Sequence, residues 1–436
     1  MRWKSDRFSG WGGHLDASME VSRASRNSAL KAAFEERPGP AIGGLRSYGD
    51  AALNADGPAH MMTRMDRLLE FDTENGILRA EAGVTMRTIL SATLPQGWAP
   101  SALPGTGYVT LGGAVAMDVH GKDHRKVGTF SAQVLSLSLL TPNGKIQTLS
   151  PEKKPPLFWA TIGGLGQTGI VQDVTLQLHP ASEMVTLNQQ RFDDLDDGMA
   201  LLEAAESRFA VAWIDALSGG RSLGRGILET SDYSDADAQQ KERRIKTVPV
   251  TPPKLALSAP IASAFNSLRF RSVTETGKTS TESFLDVQYP LDRIDGWNKL
   301  YGKDGFHQFQ ACFPLDQSRD ALTALLERVS NARAASPLVV MKRLGPSGPA
   351  PMSFPQEGYT LAIDMQHRSK TPDLLAELSA ITAQHNGRIY FAKDSSLTPE
   401  LVSMMYPQMA SWKQQLDAVD PDQTLSTDMT RRLGLR

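Results

Sequence analysis

Glycine is the residue with the most chemical meaning between positions 104 and 121. Gly105, Gly107, Gly112, Gly113 and Gly121 place five glycines within 17 residues, interleaved with small side chains. Without a Cβ in the way, backbone N–H groups can approach a bulky anion, and a pyrophosphate is the natural ligand. A ligand-free glycine-rich turn is the plain alternative. Two more loops share the character: Gly43-Gly44-Leu45-Arg46-Ser47-Tyr48-Gly49-Asp50 and Gly163-Gly164-Leu165-Gly166-Gln167-Thr168-Gly169-Ile170. Neither continues into Gly-Lys-Ser/Thr, and neither is a G-x-G-x-x-G turn after a clear first strand, which weakens kinase-like and NAD-type readings. Among side chains, Gln308 and Gln310 lie two apart and so share one face of a strand, where amides can read sugar hydroxyls or simply form a polar exposed face. Lys393 stands beside Asp394, ordinarily a solvated ion pair. His120, taken alone, reads as a hydrogen-bonded turn residue.

These residues need elements to hold them. The 436 residues exceed a usual single domain, so two domains sharing an interface are expected. Residues 41–180 alternate short β-rich pieces with glycine turns and a helical stretch at 86–94, which reads as α+β. Asn143-Gly144 between apolar runs predicts a hairpin. From about residue 182 the elements lengthen, with helical periodicity over 195–208 and 318–335. Residues 232–246 are dense in charge and read as a surface loop. The apolar stretch 252–265 reads either as core or as a flap over a greasy ligand. Thr398 and Pro399 open a helix with Leu401, Met405, Met409, Trp412 and Leu416 on one face, ended by Asp420-Pro421.

Composition narrows the class. The net charge is -2, from 46 basic and 48 acidic side chains, so no footprint for a polyanion exists and nucleic acid is not an expected partner. Cys312 is the single cysteine, which excludes an intramolecular disulfide and an all-cysteine metal site. The charged start of the chain does not read as a secretory signal, and no apolar run approaches the roughly 20 residues of a membrane span. No metal is expected, and the expected location is the cytoplasm, with peripheral contact at the inner membrane surface left open.

The order of motifs is more specific than any one of them. Arg46-Ser47-Tyr48-Gly49-Asp50, Pro104-Gly105-Thr106 followed by Gly112-Gly113, Trp159-Ala160-Thr161-Ile162-Gly163-Gly164 and a late Asp420-Pro421 resemble the vanillyl-alcohol-oxidase-like FAD superfamily. Gly10-Trp11-Gly12, Met117-Asp118-Val119-His120-Gly121-Lys122-Asp123-His124, Trp297-Asn298-Lys299-Leu300-Tyr301-Gly302, Ala392-Lys393-Asp394-Ser395 and Ser426-Thr427-Asp428 extend the resemblance over nearly the whole chain, toward the decaprenylphosphoryl-β-D-ribose 2′-oxidase family within it.

The resemblance implies an α+β, two-domain PCMH-type FAD-binding fold. Its FAD-binding domain would be 1–184, completed by 388–436, and 185–387 would form a substrate domain on an antiparallel sheet flanked by helices. It implies that Gly43, Arg46, Ser47, Tyr48, Gly49, Asp50, Gly105, Thr106, Thr110, Leu111, Gly112, Gly113, Met117, Asp118, His120, Ile170 and Tyr390 meet FAD. The family usually has Gly-x-Gly-Arg-Ser where this chain has Gly43-Gly44-Leu45-Arg46-Ser47, so the loop is expected to sit slightly differently. Relatives that link FAD covalently through this loop use a histidine, absent here, and noncovalent binding is the inference. Lys393, His120 and Tyr48 match catalytic positions, and Trp213, Gln308, Gln310, Lys342, Ala362 and Lys393 match the substrate pocket. Ala362 and Thr360 stand where mycobacterial members carry cysteine and asparagine, so no thiol is expected in the mechanism.

Oxidation of a secondary alcohol by flavin needs hydride transfer from carbon and a base for the hydroxyl proton. The implied reaction is oxidation of the 2′-hydroxyl of a polyprenylphosphoryl-β-D-ribose to the keto sugar, the first half of an epimerisation completed by a short-chain dehydrogenase partner. An FAD enzyme acting on a soluble sugar, alditol or aldonolactone is the alternative. A noncatalytic FAD-fold scaffold is a third reading.

Overall fold

The computed structural model describes residues 3–236, 245–252, 257–334 and 337–436. The predicted hairpin is present: Val134–Leu140 and Ile146–Leu149 pair antiparallel around Asn143-Gly144, with Gly144 at φ +75°. The pair lies at one end of a five-stranded antiparallel sheet that continues through Ile170–Gln177, Ile77–Glu81 and Leu68–Asp72. Helix Met86–Thr93, capped by the Thr85 side chain, buries Met86, Ile89 and Leu90 in the same core. A four-stranded sheet of Lys4–Ser9, Asp16–Ser22, Pro58–Met61 and Ala41–Ile42 launches loop 43–50 from its last strand.

The third sheet has eight antiparallel strands, in the order Lys278–Ser283, Met184–Phe192, Gly226–Ser234, Phe209–Ile214, Val339–Leu344, Gly358–Gln366, Phe306–Pro314, Arg388–Ile389. Because side chains alternate across a strand, each strand gives one residue set to each face. Ala212, Met341, Leu361, Ile363, Phe309 and Phe313 pack into one core with Leu322, Leu325 and Leu326 of helix Leu315–Asn331 and Leu374, Leu375 and Leu378 of helix Thr371–Gln384. The opposite face is left for chemistry. The α+β class expected from the sequence is the class observed.

The C-terminal segment packs on both cores. Arg388–Ile389 is an edge strand of the large sheet, Trp412 donates to the Ala160 carbonyl at 3.0 Å, and Leu425 joins the core of the five-stranded sheet. The predicted helix beginning at Pro399 is two helices, Pro399–Met405 and Met409–Val419. Pro407 lacks an N–H and cannot continue the first of them. The predicted helix over 195–208 ends at Ala204. Within the expected loop 232–246, Asp232 to Ser234 belong to a strand and Lys246–Thr247 pairs with Ile294–Asp295, while 237–244 lie outside the described residues. Of the apolar stretch 252–265, residues 253–256 lie outside them too. In the rest, Leu257 packs against the cluster of Tyr48, Tyr301 and Phe306, while helix Ala259–Arg271 turns Ile261, Phe265 and Leu268 to solvent and buries Ala262 and Asn266. No described helix is long and apolar enough to cross a membrane.

Candidate active site

Loop 43–50 is held by its neighbours on both sides. The Trp11 and Gly12 amides donate to the Ser47 and Tyr48 carbonyls, and the Tyr48 amide donates to the Ala392 carbonyl at 2.9 Å. Gly49 is required there, since a Cβ would lie 2.1 Å from the Asp394 carbonyl oxygen. Leu45 adopts φ +54°. Leu45 therefore occupies a left-handed backbone position that favours glycine, at a cost of about 1 kcal/mol. Among the described residues, no hydrogen bond is made by the N–H groups of Gly44, Leu45, Arg46 or Ser47. Successive free N–H groups around a left-handed residue form an anion-binding concavity. The Arg46 guanidinium lies between the Trp11 and Tyr108 rings, 4.3 and 5.1 Å from their centroids, with its Nε unpartnered and burial lowering its pKa.

The glycine segment 104–121 divides into two parts. In the short helix Leu111–Ala116 the N–H groups of Leu111 and Gly112 are taken by the Val84 and Ala82 carbonyls, and that of Gly113 by Thr110 Oγ1 at 3.3 Å. These glycines serve close packing, so the anion role expected across the whole segment is not theirs through the N–H groups. Gly105 is different: a Cβ there would meet nothing within 4 Å. Thr106 Oγ1 and the Gly107 amide both donate to the Asp292 carboxylate, at 2.7 and 2.8 Å. Unpartnered N–H groups, an orphaned buried guanidinium nitrogen and open space at Gly105 fit a large anionic cofactor.

Three expected cofactor residues have side chains committed elsewhere. Asp50 holds Arg432 through two bonds of 2.8 Å. Asp118, with burial raising its pKa, accepts from Ser131 N and Ser353 Oγ. Ile170 is buried in the core of the five-stranded sheet. Only their backbones remain for a ligand, because each side chain is consumed in holding the loops. Met117 is packed among three cores, and Tyr390 donates from its hydroxyl to the Met117 carbonyl at 3.3 Å.

The free face of the large sheet gathers the expected substrate residues by register. Gln308 pairs with Asp364, Gln310 with Ala362, Lys342 with Thr360, Val340 with Ala362, and Trp213 with Val340. All these side chains point to the face opposite the helices. Trp213 is buried at its margin, stacked under Arg269, with its Nε1 donating to the Pro337 carbonyl. Its indole N–H is thus already used.

Lys393 does not pair with Asp394, whose carboxylate takes Arg432 Nη2 at 2.8 Å. Instead Lys393 Nζ sits 4.0 Å from the Tyr48 ring centroid. Burial lowers its pKa to about 7, with Lys342 adding to the shift and Asp364 opposing it. Asp364, fully buried, accepts from Tyr301 Oη at 3.0 Å and from Gln308 Nε2, and burial pushes its carboxyl up. Lys342 is lowered to about 8 by burial and by Lys122. His120 lies between Phe354 and Tyr390, and its Nε2 accepts from Gln310 Nε2 at 2.8 Å. Burial lowers its pKa well below the usual range, and Nδ1, which then carries the proton, has no partner. Burial raises the Tyr48 phenol well above its ordinary value, so it stays protonated. The site therefore holds two lysines of lowered pKa, Lys393 and Lys342, of which Lys393 lies against Tyr48 of the cofactor loop, and one neutral N–H donor, His120. Asp364, Tyr301 and Asp292 were not singled out from sequence. An aspartate in the otherwise apolar Tyr359-Thr360-Leu361-Ala362-Ile363-Asp364-Met365 was the available signal for the first.

A nucleotide-type cradle on a PCMH-type fold, facing a polar sheet face with a lysine of lowered pKa, defines an FAD-dependent oxidoreductase. Residues 26–150 match the family model of an FAD binding domain. The chain is 31% identical over 450 residues to the decaprenylphosphoryl-β-D-ribose oxidase of Mycolicibacterium smegmatis, covering 98% of this chain and 97% of that protein, and it belongs to that family. It is also 32% identical over 373 residues to the uncharacterized protein in the mprA 5′ region of Streptomyces coelicolor, covering 81% of this chain and all of that protein. Likeness to L-gulonolactone oxidase of Bos taurus is 34% over 139 residues, 32% of this chain and 31% of that one.

Proposed function

We propose that the protein oxidises the 2′-hydroxyl of a polyprenylphosphoryl-β-D-ribose to the 2′-keto sugar. The observation that carries this is the end-to-end likeness to an oxidase of that ribose, supported by a sheet face suited to a phosphorylated sugar. Loop 43–50 and the Gly105 region would hold FAD noncovalently, and the group would supply a two-electron acceptor for the hydride at C2′. Lys393, uncharged in part near neutral pH, takes the hydroxyl proton at Nζ. Asp364, fixed by Tyr301 and Gln308, steers that ammonium once it forms. His120 offers its Nδ1–H to the sugar, Gln308 and Gln310 face the hydroxyls, and Lys342 supplies a point charge for the phosphate.

In this reading residues 1–184 with 388–436 form the cofactor domain and 185–387 the substrate domain. The keto product requires a reductase, and a short-chain dehydrogenase is the partner we infer. A lipid-linked substrate also calls for a membrane surface, and the outward Ile261, Phe265 and Leu268 suit peripheral contact of a cytoplasmic enzyme with the inner membrane. Farnesylphosphoryl ribose added to the purified protein should bleach the oxidised flavin spectrum. An unchanged spectrum overturns the substrate, and bleaching by free aldonolactones or alditols with no gain from a lipid tail would move the assignment to soluble sugars. Flavin released by acid denaturation is the expected sign of noncovalent binding.

A further inference from the structure

Segment 284–301 crosses the glycine segment 104–121 and is fastened to it at one point by a buried carboxylate. Asp292 is 6% exposed and stands nearly two hundred residues from its partners in sequence. Its Oδ1 accepts from Thr106 Oγ1 and its Oδ2 from the Gly107 amide. Arg46 and Arg87 lie close enough to offset its charge, while burial raises its pKa. Two further ties run beside it, a short one from Lys122 Nζ to the Val287 carbonyl at 2.5 Å and a weak one from Gln288 Nε2 to the Leu103 carbonyl at 3.5 Å. The fit at the crossing is close: a Cβ at Gly107 would lie 3.0 Å from Arg87 Cβ, 3.1 Å from Tyr289 Cε2 and 3.2 Å from Asp292 Oδ2. Next to this crossing are the open space at Gly105 and the unpartnered Arg46 Nε, the features that fit the cofactor.

We propose that Asp292 is the latch of a strap, residues 284–301, closed over the cofactor loop, and that this latch governs how long FAD stays bound. The strap needs such a fastening because loop 43–50 has no histidine to hold the flavin covalently. Asp292 is a positioning residue: it acts through Thr106 and Gly107, whose backbone borders the open space. Carboxylate bonds to a half-buried hydroxyl and a buried amide are strong enough to set a dissociation rate. The proposal does not depend on which alcohol is oxidised, since FAD exchange is read without substrate.

The test is FAD dissociation from the holoenzyme, followed by the rise of flavin fluorescence as FAD leaves the protein after large dilution. Asp292→Ala should raise the dissociation rate by about ten- to a hundredfold, and Thr106→Val, which removes one of the two bonds, by about three- to tenfold. Thermal unfolding of the apoproteins is measured beside it. If both variants release FAD at the wild-type rate, the latch is overturned. A fall in apoprotein stability with unchanged release overturns it equally, because Asp292 would then be a structural tie only. Should Asp292→Ala fail to fold, Thr106→Val and Gly107→Ala carry the same comparison.

Discussion

Loop 43–50 and the free face of the eight-stranded sheet offer a ligand different kinds of group. In the loop it is chiefly main chain: four successive N–H groups shaped by Leu45 at φ +54°, beside the Arg46 guanidinium, with the Asp50 side chain turned inward to hold Arg432. On the sheet it is side chain: Gln308, Gln310, Lys342 and Asp364, brought together by antiparallel register. Main-chain recognition depends on where the backbone can go, so it tolerates changes in side chain and fails when a Cβ blocks an approach. Side-chain recognition behaves the other way.

The two regions should therefore separate under mutation. Lys393→Met is the largest expected effect, a fall in the rate of flavin reduction of about 10²- to 10⁴-fold with FAD content unchanged, measured by anaerobic stopped flow. Loss of flavin from this variant would break the separation. Gly49→Ala should do the converse: its Cβ meets the Asp394 carbonyl, so we expect destabilisation of about 1–3 kcal/mol by thermal unfolding and a flavin-depleted protein. Lys342→Met should raise KM for the phosphorylated sugar about tenfold while leaving FAD affinity at the wild-type value, as titrated by flavin fluorescence. The smallest effect is at Leu45. Leu45→Val, β-branched in a left-handed position, should cost about 1 kcal/mol of stability, and Leu45→Gly should stay within about 0.5 kcal/mol of wild type because strain relief offsets lost packing.

The same contrast explains what the sequence made legible. A backbone cradle needs glycine at fixed spacings, so loop 43–50 and the segment around Gly105 leave a mark on the chain, and motif order then names the ligand class. The departure at Leu45 reads from sequence as a slight shift of the loop; the structure holds that leucine at φ +54° in a loop clamped from outside by Trp11, Gly12 and Ala392. The sheet face leaves a weaker mark. Gln308 and Gln310 are visible as a two-residue repeat, but their meeting with Asp364 and Lys342 depends on strand order, which no local pattern encodes. Asp292 reaches Thr106 and Gly107 from so far along the chain that only the fold reveals it. Helix Ala259–Arg271 is ambiguous in another way: its apolar residues suggest either core or a flap, and the packed side of the helix is made by Ala262 and by Asn266 bonding Asp215.

The central claim is that Lys393, lowered to about 7 by burial, is the base that works with FAD on a lipid-linked ribose. Because the neutral amine is the active form and gains population as pH rises through its pKa, flavin reduction should speed up with pH and level off above about pH 8. The direct measurement is the rate of flavin bleaching by farnesylphosphoryl ribose under anaerobic conditions across pH 5.5 to 9. The account predicts a single ascending limb centred near pH 7 that vanishes in Lys393→Met. Bleaching that is independent of pH, or that keeps the same limb without Lys393, would contradict it.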